Sequence, residues 1–150
     1  MIKILIFCLF ISFDLISKFL IKNYLELNQT IKFNSFFDLV YIQNYGVSFG
    51  LFSGTVSHWF LITVALLVVL LIIYLMFISN KKLEKQAYFI IIIGAIANIL
   101  DRTINTYVVD FISIHYNNYY WPAFNLADIY ITIGIIMLIM SFFKVSKENK

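Results

Sequence analysis

Residues 56–78 read VSHWFLITVALLVVLLIIYLMFI and contain no Asp, Glu, Lys or Arg. A helix needs about 20 mostly apolar residues to cross the hydrocarbon of a bilayer, so this stretch predicts a membrane span. The rest of the chain agrees with that setting. It has 150 residues, 62% of them hydrophobic, and a mean hydropathy of +0.91, well above the usage of soluble domains. Three further stretches are long and apolar enough to span: Ile2 to Ile21, Ala87 to about Ile104, and Ala123 to Phe143. With one Pro, five Gly and no repeat or low-complexity linker, no internal boundary is expected, and residues 1–150 read as a single integral membrane domain of four transmembrane helices.

The N-terminus, Lys3 followed by ILIFCLFISF, has the charge and apolar run of a secretory leader. No small-residue cleavage site follows, and Asp14 and Lys18 interrupt the apolar run, so a retained first helix is expected. Cys8 is the single cysteine and cannot form an intramolecular disulfide; after Leu5, Ile6 and Phe7 it reads as a small buried apolar residue.

Lys and Arg accumulate in short cytoplasmic loops. With the N-terminus inside, the cytoplasmic segments hold Lys3, then Lys81, Lys82 and Lys85, then Lys144, Lys147 and Lys150. The outer segments, about 22–55 and 105–122, hold only Lys22 and Lys32. Both termini are therefore expected to be cytoplasmic. The net charge of +3 reports this asymmetry, and no basic stripe with interleaved aromatics points to nucleic acid.

The other three spans carry groups that are costly in hydrocarbon: Asp14 and Lys18 in the first, Asn98, Asp101 and Arg102 in the third, Asn125 and Asp128 in the fourth. On the expected topology all of them lie in the outer half of the membrane. Asp128 falls about 7 Å below the start of the last span at 1.5 Å per residue. Scattered tolerance of polar residues would not collect them at one depth. Asp14 and Lys18 are four apart with the acid first, the favourable order for an ion pair, and serve as a structural clamp between helices. Asn98 with Asp101 and Arg102, and Asn125 with Asp128, likewise stack on single faces that should point inward.

Asp110 lies in TYVVDFISI, an alternating β-branched and aromatic run that reads as a short strand or extended loop just outside the third span. The short connection from Arg102 to the last span can return Asp110 to face Asp128. Two carboxylates in a partly dehydrated site cannot both ionise cheaply, so one holds a proton while the other stays charged. Such a pair supplies a general base for water and a general acid for a leaving group.

Four blocks, in order, carry a family resemblance over nearly the whole chain. DLISK resembles the D-x-x-x-K of type II (lipoprotein) signal peptidases, with Asp14 and Lys18; NYGVSFGLF resembles their N-x-G-x-x-[FW]-[GS], with Asn44 and Gly46. GAIANILDR with VVDF resembles G-G-A-x-G-N-x-x-D-R and V-x-D-F, with Asn98, Asp101, Arg102 and Asp110, and FNLAD resembles F-N-x-A-D, with Asn125 and Asp128. Ile93 and Ala97 stand where the family usually has glycines, and Thr106 replaces the glycine before the strand.

The resemblance implies an aspartic endopeptidase of the bacterial cytoplasmic (inner) membrane, with Asp110 and Asp128 as the catalytic pair on the extracytoplasmic side. It would remove the signal peptide of a diacylglyceryl-modified prolipoprotein, cutting N-terminal to the lipidated cysteine. It also implies no metal or organic cofactor, inhibition by the cyclic peptide globomycin, contact with membrane lipid, action as a monomer, and a small extracytoplasmic β-cradle with short loop elements. Asn44, Gly46, Asn98, Arg102 and Asn125 are candidates for orienting the pair and the substrate backbone; Asp14, Lys18 and Asp101 are structural polar residues. Ile31, Phe33, Leu39 and Tyr41 themselves suggest short strands, and Tyr116, Tyr119, Tyr120 and Trp121 suit the headgroup level. His58 and His115 have no ligand-spaced partner, so a metal site is not expected.

Two rival readings exist. In a transporter or proton-conducting bundle the same charges would form a relay, but the polar groups stop in the outer half and the second span is wholly apolar. A purely structural subunit leaves Asp110 and FNLAD without a purpose.

Overall fold

The computed structural model describes residues 1–46 and 56–148, with side chains described as far as Phe143 outside the gap. Backbone polar groups cannot go unpaired in lipid, which favours long uninterrupted helices for the apolar stretches. They form α1 (Ile2–Tyr24), α2 (His58–Ile78), α3 (Lys82–Asn105) and α4 (Leu126–Glu148), each long and apolar enough to cross a membrane. Between them lie β1 (Thr30–Lys32), β2 (Phe37–Asn44), β3 (Val108–Tyr116) and β4 (Tyr119–Tyr120). They form one antiparallel sheet in the order β1-β2-β3-β4. α1 runs past Ile21, and α3 begins at Lys82, ahead of Ala87. The polar residues of SNKKLEKQ are compatible with a helix end that leaves the hydrocarbon.

α3 is the central helix. Half of its apolar window is buried, against about a fifth for the others, and it packs on α1, α2 and α4. Its approach to α4 is set by small residues. A Cβ added to Gly94 would run into the carbonyl oxygen of Ala127, and one added to Gly134 would sit 2.8 Å from that of Ala87. Close backbone approach through small residues is how helices associate where lipid removes the hydrophobic drive. Ile93, beside Gly94, is buried with Ile11, Ala97, Ala127 and Tyr130, so the bulk that stands in place of a family glycine packs against α1 and α4.

α1 offers a single buried stripe, Ile11, Asp14, Lys18 and Ile21, and Leu25 continues it beyond the helix end. Cys8 lies one position off that stripe and is exposed toward the lipid, which corrects the expectation that it is buried. A thiol on a helix that contacts protein along only one seam has no core to enter. The stripe ends in a second core, Ile21, Leu25, Tyr41, Tyr107, Val109 and Phe111, where α1 meets the sheet. β2 pairs with β3 so that Ile42 faces Asp110 and Asn44 faces Val108.

Candidate active site

FNLAD builds the start of α4 as a reciprocal cap. The Asn125 side chain accepts from the Asp128 N–H at 3.0 Å, and the Asp128 carboxylate accepts from the Asn125 N–H at 3.2 Å. Two orphan amides of the first turn are satisfied by each other's side chains, the arrangement of a capping box with Asn and Asp in the two roles. The same Asn125 then donates from Nδ2 to Asp110 Oδ1 at 2.7 Å. One residue therefore holds both acids, one by its side chain and one by its backbone.

Asp110 is brought there by main-chain bonds. The N–H groups of Phe111 and Ile112 donate to the Phe124 carbonyl at 3.0 and 2.8 Å, and the Phe124 N–H returns to Ile112 at 3.0 Å. This isolated bridge zips β3 to the residue just before Asn125. From the other side, β2 ends in Asn44, whose Nδ2 donates to Asp110 Oδ2 at 2.9 Å. Both oxygens of Asp110 are thus held by side-chain amides, and the residue is 4% exposed. Burial first, and the Asp128 carboxylate second, push the Asp110 carboxyl from its ordinary 3.8 up to about 7; Asn44, Asn125 and then Lys18 oppose them. A carboxyl in that range can hold or release a proton near neutrality.

Asp128 Oδ1 accepts from Asn98 Nδ2 at 2.9 Å, and Asn98 Oδ1 in turn accepts from Lys18 Nζ at 2.7 Å. Arg102 reaches the site by a different route. Its Nη2 donates to the carbonyls of Asn44, at 3.2 Å, and of Gly46. Gly46 N–H donates to Asn44 Oδ1 at 3.0 Å, so Arg102 and this turn fix the loop that presents Asn44 to Asp110.

A family model for signal peptidase (SPase) II matches residues 6–144 of the chain. The chain belongs to the signal peptidase II family. It is 36% identical over 146 residues to the lipoprotein signal peptidase of Francisella tularensis subsp. novicida (strain U112), covering 94% of this chain and 91% of that one. It is 40% identical over 131 residues to the lipoprotein signal peptidase of Thermodesulfovibrio yellowstonii (strain ATCC 51303 / DSM 11347 / YP87), covering 87% of each. Among solved structures it is similar to a bacterial membrane enzyme determined by the in meso method at 2.3 Å resolution. That match has a TM-score of 0.87 and 27% identity, over 99% of this chain and 91% of the other.

Against the family's blocks, the polar residues read from the sequence gather at one end of the bundle, with Asp14, Lys18, Asp101, Arg102, Asp110 and Asn125 buried and Asn44, Asn98 and Asp128 half-buried. Asp14 and Lys18 form the ion pair at 2.8 Å. Asp101, read as a structural polar residue, accepts from the Val109 N–H at 2.8 Å and from Asn105 Nδ2 at 2.7 Å, so it fixes the start of the strand that carries Asp110. Residues 47–52 of the NYGVSFGLF block lie outside the described residues. Thr106, where the signal peptidase II pattern has glycine, is the C-cap of α3 and sits in the left-handed region at φ 70. A β-branched residue is strained there, which explains why glycine suits the position.

Sequence reasoning missed the pair of Asp38 and His115 across β2 and β3, with Nε2 3.3 Å from Oδ2 and His115 stacked on Tyr120. Nothing in the spacing of residues 38 and 115 signals that contact. The capping role of FNLAD was also missed: the last span was expected from Ala123, and α4 begins at Leu126, with Asn125 and Asp128 capping its first turn.

Proposed function

We propose that this signal peptidase II family member is an aspartic endopeptidase acting at the membrane surface. It removes the signal peptide of prolipoproteins whose lipobox cysteine carries diacylglyceryl, and it cuts N-terminal to that cysteine. Asp110 and Asp128 share one proton. The ionised member takes a proton from a water held between them, and the resulting hydroxide attacks the scissile carbonyl carbon. The protonated member then delivers its proton to the departing amine as the C–N bond breaks, and the pair is restored with roles exchanged. Because the two sites are coupled, the proton belongs to the pair.

The observation that supports this reading is the double hold of Asn125, which ties Asp110 Oδ1 and the Asp128 carboxylate to one residue at the mouth of α4. The basic residues between α2 and α3 favour cytoplasmic termini and a site on the extracytoplasmic side, where a lipid-anchored substrate presents its scissile bond. Exposed Tyr116, Tyr119, Tyr120 and Trp121 suit contact with lipid headgroups. The protein acts as a monomer and is blocked by globomycin.

The test is cleavage of a diacylglyceryl lipobox peptide by purified protein. Loss of cleavage in Asp110→Asn and in Asp128→Asn, with the fold retained, supports the reading. Well-folded wild-type protein that leaves the peptide intact would overturn it.

A further inference from the structure

Lys18 is a buried cation, 2% exposed, and its ammonium reaches three side chains: Asp14 Oδ2 at 2.8 Å, Asn98 Oδ1 at 2.7 Å and Asp101 Oδ2 at 3.6 Å. Each partner makes a second contact, and the three second contacts share a pattern. Asn98 donates to Asp128 itself. Asp14 Oδ1 accepts from the N–H of Ala127 at 2.9 Å, the residue before Asp128. Asp101 Oδ2 accepts from the N–H of Val109, the residue before Asp110.

A clamp of α1 on α3 would need only one of Asn98 and Asp101, since Asp14 lies on the same helix as Lys18. Burying a cation with two acids and an amide is a poor way to gain stability, since desolvation offsets most of the Coulomb attraction and apolar packing does as well. What the arrangement does provide is a common origin for both acids. The Lys18 ammonium is thereby linked, through Asn98, to the carboxylate of Asp128 and, through Asp14 and Asp101, to the backbone just before each acid.

We infer that Lys18 is a positioning residue for the Asp110/Asp128 pair, acting through Asn98, Asp14 and Asp101. The inference rests on the peptidase reading above. The ionisable groups it acts on are Asp14 on α1, Asp101 on α3, Asp110 on β3 and Asp128 on α4, and these in turn interact with Tyr130 on α4, Arg102 on α3 and Tyr107 between α3 and β3. Four of these are acids, so the Lys18 charge also favours keeping one member of the pair ionised. Consistent with that, Lys18 acts to lower the Asp110 carboxyl against its burial.

The experiment compares wild type, Lys18→Met, Lys18→Arg, Asn98→Ala and the Lys18→Arg/Asn98→Ala double variant on the diacylglyceryl lipobox peptide. Each is followed by kcat and KM across pH and by thermal unfolding. Met keeps the stem and removes the charge. Lys18→Met should lower kcat on the order of 100-fold, as expected for an ångström-scale misplacement of reacting groups. KM should stay unchanged, and the acidic limb of kcat should move up by about one pH unit as the cation's pull on the pair is lost. Lys18→Arg keeps a cation and should keep the wild-type acidic limb.

Lys18→Met with wild-type kcat and pH profile and only a lowered Tm would make Lys18 a plain clamp and overturn the inference. Should Lys18→Met not fold, the double variant decides. Losses in kcat that fail to multiply support action through Asn98, and losses that multiply independently overturn it. Failure of the wild-type protein to cleave would instead sink the peptidase reading. Wild-type cleavage with indifferent variants sinks this inference alone.

Discussion

The two ends of the bundle use similar residues to different ends. At the end between α2 and α3, Glu84 accepts from Ser79 at 2.7 Å, from Lys81 at 2.8 Å and from Ser141 at 3.2 Å. Lys81 is 47% exposed and lies three residues from Glu84, so the pair is local and wet. At the other end Lys18, Asp14 and Asp101 are almost fully buried and draw on α1, α3, α4 and the sheet. Exposed pairs are screened and contribute little, whereas a buried network that loses one member leaves a charge without its partner. The cluster at Glu84 ties one turn to the start of α3 and, through Ser141, to α4. The distributed one can hold two acids in register, because α1, α3, α4, β2 and β3 each contribute a fixed point.

The comparison breaks most sharply on activity. Asp110→Asn should lower kcat on the order of 10^4-fold, as removal of a single catalytic carboxylate does elsewhere, and Glu84→Gln should leave it unchanged; steady-state cleavage of the lipobox peptide measures both. On stability, Asp14→Asn should cost about 3 kcal/mol or more, because Lys18 then stays buried with a weakened set of partners. Thermal unfolding in a defined detergent or lipid tests this. An effect below about 1 kcal/mol would place the buried cluster alongside the exposed one.

The pH response should also separate the two ends. Asp110 titrates near 7 when folded, against 3.8 for an ordinary Asp, so between those values the folded chain holds a proton that the unfolded chain has released. Stability should therefore fall as pH rises from about 4 to 7, and Asp110→Asn should flatten that slope. If the pair works with one proton, activity should decline above about pH 7 as that proton leaves. A Tm profile of wild type and variant, with kcat against pH for the wild type, checks both.

Thr106→Gly should stabilise by about 1 kcal/mol, since glycine adopts the left-handed cap without strain. Tm measures this, and a loss would mean that the Thr106 side chain does more than cap α3. The smallest effect belongs to Lys81→Ala, expected within about 0.5 kcal/mol of wild type by the same measurement.

Much of this was legible before any coordinates. Residues 56–78 and their three counterparts imply the spans, because hydropathy over some twenty residues reports the medium directly. The polar groups of α1, α3 and α4 converge because alternating span direction puts their marked ends at one depth. Other features had no residue-type signature. The amides of Ala127 and Val109, which receive Asp14 and Asp101, could belong to any residue, since a backbone N–H carries no mark of its own. Arg102 was read as an orienting residue for the pair, and it acts on the carbonyls of Asn44 and Gly46, a contact between segments distant in sequence. Cys8 was misread because apolar neighbours along α1 do not tell a lipid-facing side from a packed one.

Composition and spacing alone thus account for a four-span membrane chain with Asp110 and Asp128 as its candidate acids, since burial in lipid selects residue types along every turn. The bridge from Phe124 to Ile112, the double hold of Asn125 and the hub at Lys18 came only with the folded chain. Hydrogen bonds between remote segments depend on ångström-scale placement, and that placement exists only once the helices and the sheet have packed.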